Sequence, residues 1–556
     1  MTAHSPPKIC LNMIVRNEAH IVHEVLDSAA PHISSWVVVD TGSSDGTQDV
    51  IRKHMAQLGI PGEVHDRPWR NFGHNRTEAL ELAQGHGDYI WVMDADDLVV
   101  GNLDLTGLTA DAYEMQFSDE GGFAYWRTQL MRNGLPWRYR GVVHEYADCD
   151  VPYRSHRLHG DYYIDSRRLG GRNLDPQKYQ RDCALLHEEI ERNPNDGRSV
   201  FYLGQSYYCL DDFANSLKWY ARRAEMGDWD EEVYFSLVRV AESKFGLGAP
   251  WSELIADFLR AWEFRPTRAE AVYTLAFHLR HAENYQLAYL FAKMASEIPL
   301  PVEDKLFVRA AVYSWHANDE VAVCASWIGK PVEAFTYWRR ALASTEVPEE
   351  DRRRIAINRD LVVPAMIELA QRTPDLARLR SDGDVTVTIV AGPDRGAVER
   401  TVKTFLNCCS DTERIGRFLV IDTGLSHDDR THLGQRYPFL EFRPFYEHSR
   451  DHIETRFWLH LGQGWQFFAP ENLITRLTAV LDAEPDVFQV GINYADATHL
   501  TGTCAPNTVV RHTPETGRYT LTDKASHGPA MFDITRLDRL GKGTATLDEV
   551  LCTVLN

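Results

Sequence analysis

Residues 37–50, "VVVDTGSSDGTQDV", decide the fold. Three valines run straight into Asp-Thr-Gly, a Ser-Ser-Asp-Gly turn and then a helix-like spacing. β-branched residues followed by turn residues mark the carboxyl end of a buried strand. Working outward, "ICLNMIV" and "DYIWVMD" read as further buried strands. "HIVHEVLDSAA", "DGTQDVIRKHMAQL" and "RTEALELAQ" carry helical periodicity between them. Strand-helix-strand order predicts a parallel, Rossmann-like α/β domain over residues 1–170.

The strands stop near Pro176. Residues 171–375 are rich in Ala, Leu, Tyr and Trp with helical spacing throughout. "FYLGQSYYCLDDFANSLKWYARRAE" places Leu203, Gly204, Tyr207, Tyr220 and Ala224 where small residues let paired helices approach and aromatics fill between them. That is the tetratricopeptide pattern. Weaker echoes carry Ala276, Ala288 and Ala295, and "PVEAFTYWRRALAS". A plain helical bundle is the competing reading for the outer helices. From about Asp384, "VTVTIVAG", "RFLVIDTG" and "RFWLHLG" are strand-like again, and a second α/β domain is expected over residues 384–556.

The chain has 556 residues, ample for several cores. A formal charge of −21 with no basic stripe argues against nucleic-acid binding. No stretch approaches the roughly eighteen apolar residues of a membrane span, so no integral membrane span is expected. The first residues lack a charged segment followed by an apolar core, so no secretory signal is expected. The nine cysteines form no CxxC pair, and reduced thiols in a cytoplasm fit best.

Four polar clusters follow four consecutive elements of the first domain. Asn17 and Glu18 follow the first strand, Asp40 and Asp45 the second. Arg76 opens a helix, and Asp94, Asp96 and Asp97 follow "WVM". In an open parallel sheet such positions gather on one edge, where ligands bind. A carboxylate there can accept from a base N–H or a ribose hydroxyl. Arg76 offers charge to a diphosphate. Asp96, with Asp94 or Asp97, offers hard oxygen ligands to Mn²⁺ or Mg²⁺. Asp and Gly after a strand are also ordinary turn chemistry, and Asp a common helix cap. Turn chemistry alone does not require four clusters in order.

"MIVRNEAHIVHEVLDS", "VVVDTGSSDGT", "HNRTEALELA" and "MDADDL" together resemble a family-two glycosyltransferase of GT-A fold, over about the first quarter of the chain. The resemblance implies a nucleotide-sugar donor, usually uridine-linked, an Asp-x-Asp metal site and inversion at the anomeric carbon. It turns Asn17, Glu18, Asp40 and Asp45 toward the nucleoside, Arg76 toward the diphosphate, and Asp94 and Asp96 toward the metal or the sugar. Fusion to tetratricopeptide-like helices resembles bacterial enzymes that glycosylate peptides or proteins, so a peptide, protein or glycan acceptor is expected. In "WRYRGVVHEYADCD" the subgroup's His-Glu pair appears as His144, a candidate third metal ligand, and Glu145, a candidate general base. Asp97 is the second candidate catalytic carboxylate. His159 and Asp161 compete for these roles. Neighbours on a strand point to opposite faces, so His144 and Glu145 converge only from a loop. Arg168 and Arg172 are candidates to close over phosphates. The competing class is a catalytically silent scaffold that uses its helices for partner recognition. A nucleotidyltransferase would show a glycine-rich phosphate loop that "NMIVRNEAH" lacks.

The late domain repeats the early one in part. "VVVDTGSSD" aligns with "LVIDTGLSH", keeping Asp40 as Asp422 and turning Asp45 into His427. "IWVMDADDLV" aligned with "FWLHLGQGWQ" turns Asp94, Asp96 and Asp97 into Leu461, Gln463 and Gly464. The expectation is a degenerate GT-A-like copy without metal-dependent activity. Its Trp458 and Trp465 are either core aromatics or sugar platforms. A rigid repeat region and a spare domain leave room for a homo-oligomer.

Overall fold

The computed structural model describes residues 6–118, 124–167, 169–170, 176–374, 382–444, 452–492, 509–513, 516–522, 528–539 and 552–555. The chain divides into two compact units, residues 1–275 with 298–310, and residues 276–297 with 311–556. The helical region is therefore shared between them. Arg168 and Arg172 lie outside the described residues.

In the first unit the strands are β1 (Ile9–Val15), β2 (Ser35–Asp40), β3 (Gly62–Asp66), β4 (Tyr89–Val92), β5 (Asp97–Asn102), β6 (Ala112–Ser118), β7 (Ala124–Arg132), β8 (Trp137–Arg140), β9 (Tyr146–Cys149), β10 (Ser155–Arg157) and β11 (Asp161–Ser166). One sheet runs β3-β2-β1-β4-β7-β6-β11-β5, with β10 beside β6, and β8 and β9 form a separate ribbon. The first four strands are parallel, and β7 enters antiparallel to β4. β1 and β2 are buried on both faces, which is why they read as unbroken apolar runs. Leu11, Met13, Trp36 and Val38 pack on one side, Cys10 and Val37 on the other. Asn12 is the polar intruder on that second side. Its amide donates to the carbonyls of Val37 (3.1 Å) and Ala79 (3.0 Å), so its burial is compensated.

Helices α1 (Val22–Ala29) and α2 (Thr47–Leu58) follow β1 and β2, and α3 (Phe72–Leu82) follows β3. α3 packs on β1, β2 and β8. Gly73 is what lets it come so close: a Cβ there would sit 2.2 Å from the carbonyl oxygen of Gly141. Thr77 continues the seam, accepting at its hydroxyl from the Tyr139 amide at 2.9 Å. The loop after β8 is thus fixed by α3.

The sheet is followed in the same unit by α4 (Lys178–Arg192), α5 (Gly197–Cys209), α6 (Phe213–Met226), α7 (Asp230–Gly246) and α8 (Trp251–Phe264), each packed on the next. Asp196 and Asp212 cap α5 and α6 with their carboxylates. A Cβ on Gly204 would lie only 3.0 Å from the Tyr220 ring, the small-against-aromatic contact that the repeat pattern predicts. α9 (Glu270–His281) crosses into the second unit, where α10 (Tyr285–Ser296), α11 (Ala317–Trp327), α12 (Pro331–Ala343), α13 (Glu349–Leu361) and α14 (Val363–Ala370) follow. Ala276, Ala288 and Ala295 are all fully buried.

The second sheet is built from β12 (Val385–Ala391), β13 (Ile415–Asp422), β14 (Leu440–Pro444), β15 (Phe457–Leu461), β16 (Gln489–Gly491), β17 (Val509–Thr513), β18 (Gly517–Thr522), β19 (Ala530–Asp533) and β20 (Cys552–Leu555), in the order β14-β13-β12-β15-β19-β16-β20-β18-β17. Its first half repeats the order and directions of β3-β2-β1-β4-β7-β6, with β19 antiparallel between β15 and β16 as β7 is between β4 and β6. The pairing registers correct the sequence alignment by one residue. Val15 pairs with Asp40 as Ala391 does with Asp422, and Ile9 pairs with Tyr89 as Val385 does with Phe457. Tyr89 therefore corresponds to Phe457. Asp94, Asp96 and Asp97 correspond to Gly462, Gly464 and Trp465, while Gln463 corresponds to Ala95. A one-residue slip turns every side chain to the other face, so burial decides between the two. In the structural register the fully buried Trp91 meets the fully buried Leu459. In the sequence alignment it met Trp458, which is only partly buried.

Overpacking a tight helix seam costs about 1–3 kcal/mol. Gly73→Ala is expected to lower the urea midpoint accordingly. Gly434→Ala, inside a helix with its nearest neighbour 3.8 Å away, is expected to hold or raise it.

Candidate active site

The carboxyl ends of β1 and β4 open into a cleft of about 2570 Å³, walled on its far side by α4–α7. Asn17, Glu18, Arg76, Asp94, Asp96, His144 and Glu145 all line it. Asp40, Asp45, Asp97, His159 and Asp161 are not among its lining residues.

Two loops form the floor. Asn17 adopts a left-handed backbone (φ +57°), tolerable for an Asn, and turns its side-chain carbonyl to accept from the Ser44 amide at 2.9 Å. Asp45 accepts from the amides of Ala19 (3.0 Å) and Thr47 (3.1 Å) and from the Thr47 hydroxyl (2.6 Å). Although burial opposes its charge, these donors hold its carboxyl below the usual range. Asp45 thus ties the loop after β1 to the head of α2. Asp40 is buried and closes the turn after β2, accepting from Gly42 and Ser43, each at 2.8 Å. Both carboxylate oxygens of Asp45 are engaged at this cap, whereas both turn bonds of Asp40 fall on Oδ1 and its buried Oδ2 has no hydrogen-bond partner among the described residues.

Arg76 is the centre of the site. Its guanidinium is buried, donates from Nε to Glu145 at 2.6 Å, pairs tightly with Asp94, and lies 5.6 Å from the Tyr139 ring centroid. Arg127 on β7 reaches the other Asp94 oxygen at 3.3 Å. Burial raises the cost of charge on Asp94, yet the two guanidiniums outweigh it and hold the carboxyl well below its ordinary range. Among the described residues, Arg76 Nη1 and the Tyr139 hydroxyl are buried without a partner. Both are donors on the cleft wall with hydrogen-bonding capacity left over.

Asp96 accepts from the Gly170 amide at 2.8 Å, and a Cβ on Gly170 would touch both Asp96 and Glu18. The Asp94-x-Asp96 turn therefore faces the Asn17-Glu18 loop across the cleft floor. Asp97 does not join them. It is buried beneath the turn and accepts from the Asp94 amide at 3.1 Å. Burial first, and then the Asp94 charge, push its carboxyl well above the usual range. Asp97, expected as a catalytic carboxylate, stands outside the cleft lining and supports the turn through the Asp94 amide.

His144 and Glu145 converge as a loop pair, not a strand pair. His144 has φ +50° and stacks on Tyr202 of α5, ring centroids 4.0 Å apart. Among the described residues no three His, Cys, Asp or Glu side chains gather as a ligand group. Asp94, Asp96 and His144 all line the cleft, with the face of the His144 ring against Tyr202. His159 packs edge-on against Trp126. Sequence reasoning missed Arg127, Tyr139, Gly170 and Tyr202, which reach the cleft from elements whose pairing only the fold reveals.

The second sheet keeps the turn after its second strand and carries Gly462, Gly464 and Trp465 where the first has Asp94, Asp96 and Asp97. Asp422 closes its turn as Asp40 does, accepting from Gly424 and Leu425 at 2.9 and 2.8 Å. Pro393 stands at the position of Asn17. Gln463 latches the loop after β12, accepting from the Gly392 amide at 2.8 Å. The Trp465 indole lies on Gly462, where a Cβ would come within 2.5 Å, so no acidic side chain fits there. Trp458 stacks on Phe532 and donates to Thr388, a packing role.

A parallel sheet with a carboxylate turn at its open edge is an arrangement in which α/β domains bind ligands. Residues 10–118 match the family model "Glycosyl transferase family 2". That match falls on the N-terminal sheet, which is followed by a region of packed helices and a second α/β sheet. The SPbeta prophage-derived glycosyltransferase SunS of Bacillus subtilis (strain 168) is 22% identical over 222 residues, 37% of this chain and 50% of the relative. A TPR repeat-containing protein of Synechococcus elongatus is 29% identical over 150 residues, 25% and 36% of the two chains. The chain spans about half the length, or less, of these curated relatives. A solved thermophilic TPR protein of Thermus thermophilus overlaps 33% of this chain and 90% of its own at 14% identity and a TM-score of 0.24.

The raised Asp97 value has a direct consequence. Stability from this group is full below the ordinary carboxylate value and is lost as pH climbs toward the raised one. Asp97→Asn removes that loss, so its stability relative to the native protein is expected to grow from about pH 4 upward. Urea midpoints of the two proteins that stay parallel as pH rises above about 4 would contradict a raised Asp97 value.

Proposed function

We propose that the chain is an inverting glycosyltransferase that moves a sugar from a nucleotide-sugar donor, with a UDP-sugar the leading candidate, to a peptide, protein or glycan acceptor. One observation carries the reading: Asp94-x-Asp96 shares a cleft floor with Asn17 and Glu18, and the buried Arg76 stands behind it.

The donor set suits a hard divalent cation. Asp94 and Asp96 present carboxylate oxygens two residues apart on one turn, and Mn²⁺ or Mg²⁺ takes such oxygens together with substrate phosphates. When bound, the cation neutralises charge on the departing nucleoside diphosphate. The remaining work falls to the chain. The Asn17-Glu18 loop orients the nucleoside. Arg76 and Arg127 meet the diphosphate, which competes with Asp94 and Glu145 for their N–H groups. Glu145 takes the proton from the acceptor nucleophile as that atom bonds to the anomeric carbon. The carbon–oxygen bond to the diphosphate breaks on the opposite face, and the electron pair leaves with the phosphate. The helical wall, with Tyr202 and Trp229, receives the acceptor.

A panel of nucleotide sugars with Mn²⁺, followed by donor hydrolysis and by calorimetry, tests this directly. Turnover or tight binding of one donor is expected. Silence in both measurements across the panel rejects the reading in favour of a scaffold. Asp96→Asn is expected to remove metal-dependent turnover, by about 10²-fold or more. Gln463→Ala, in the second sheet, is expected to leave it nearly unchanged. Equal losses would mean that both domains work.

A further inference from the structure

The loop that carries Glu145 is held from outside its own sheet. His144, immediately before it, sits in the left-handed region that a non-glycine residue adopts only when its surroundings enforce it. Its carbonyl oxygen accepts two hydrogen bonds from one guanidinium, Arg198 Nε at 3.1 Å and Nη2 at 2.9 Å. Arg198 stands in the first turn of α5, in the helical region. Its guanidinium lies 4.9 Å from the Tyr146 ring centroid and 5.1 Å from that of Tyr202, the ring on which the His144 imidazole also stacks. Its third nitrogen reaches Glu232 of α7 at 3.3 Å, and Glu232 is anchored in turn by the buried Arg223 of α6 at 3.0 Å. Arg223 closes the chain on the Gly227 carbonyl at 2.7 Å. Three helices therefore converge on a single peptide group, the one that links His144 to Glu145.

We propose that Arg198 is a positioning residue for Glu145. By fixing the 144–145 peptide it aims the Glu145 carboxylate at Arg76 and at the acceptor side of the cleft, which makes the helical region part of the active site and not a detachable docking arm. A guanidinium is suited to the task because its planar fork holds one acceptor from two directions, and an ammonium cannot. Glu232 and Arg223 keep that fork in one orientation. The inference deepens the glycosyltransferase reading and rests on it for its kinetic consequences, while its structural content stands by itself.

The experiment uses the full chain carrying Arg198→Ala, Arg198→Lys or Glu232→Gln, with melting curves to verify folding. Displacing a reacting group by about 1 Å costs up to about 10²-fold. Arg198→Ala is expected to lower kcat by about ten- to a hundredfold while donor KM stays within about twofold, because Arg198 does not touch the donor loops. Arg198→Lys is expected to recover part of kcat, and Glu232→Gln to lose a smaller share in the same direction. Hydrogen exchange of the amides of residues 142–146 is expected to quicken in the same order. A donor KM that rises with kcat unchanged, or loop exchange equal to the native protein's, overturns the proposal. If the native chain turns over no donor, the glycosyltransferase reading fails, and the exchange data alone still decide whether Arg198 holds the loop.

Discussion

A buried guanidinium shared between two carboxylates is the constraint on which the cleft depends. Arg76 could not be buried alone, because taking an unpaired charge out of water costs several kcal/mol, about 3–5 for breaking one such pair. Asp94 comes to it from the end of β4, Glu145 from the loop after β8, and the ring of Tyr139 from β8 itself. Three separate segments are held at one point by charge. Helix α3 delivers the guanidinium, and α3 reaches its place only because Gly73 lets its backbone touch the Gly141 carbonyl. A glycine in a helix seam and an arginine one turn further on are thus two parts of one device.

Much of this fold is legible in the chain. Buried parallel strands write themselves as unbroken apolar runs, and paired helices write small residues opposite aromatic ones. The limits of that legibility are also physical. A strand's period is two, so the alignment of "IWVMDADDLV" with "FWLHLGQGWQ" could slip by one residue and still match hydrophobic to hydrophobic. Hydrogen-bond register removes the ambiguity, moving the absent carboxylates from Leu461, Gln463 and Gly464 to Gly462, Gly464 and Trp465.

The candidate site was legible by residue type and not by role. Polar residues at strand ends announce an edge where ligands bind, yet the same residue types close turns and cap helices. Asp40 Oδ1 accepts from two backbone amides while its buried Oδ2 has no hydrogen-bond partner among the described residues, Asp45 accepts from the Ala19 and Thr47 amides and the Thr47 hydroxyl, and Asp97 supports the turn from below. Of the residues singled out by sequence, Asn17, Glu18, Arg76, Asp94, Asp96, His144 and Glu145 face the cleft. Arg127 and Arg198 escaped detection because a lone arginine in a strand or a helix carries no local signal. Their importance comes from which partner the fold sets opposite them.

The two Asp-Thr-Gly turns make the same distinction inside one molecule. Through Oδ1, Asp40 and Asp422 make equivalent turn bonds at equivalent strand ends, which is reason enough for the turn to retain the motif, while Oδ2 pairs with Arg430 in the copy and is buried without a partner in Asp40 among the described residues. The carboxylates at the end of β4 have no such duty to the backbone of the copy. There, glycines and an indole fill the space, and Gln463 takes over the loop that follows β12. A motif that survives in both sheets is therefore evidence of folding need, and one that survives in a single sheet is where selection for chemistry is to be sought. By that criterion the Asp94-x-Asp96 turn and the Asn17 loop are the places to seek selection for chemistry, and in the Asp-Thr-Gly turn it is the unpartnered Oδ2 of Asp40 that exceeds what the turn needs.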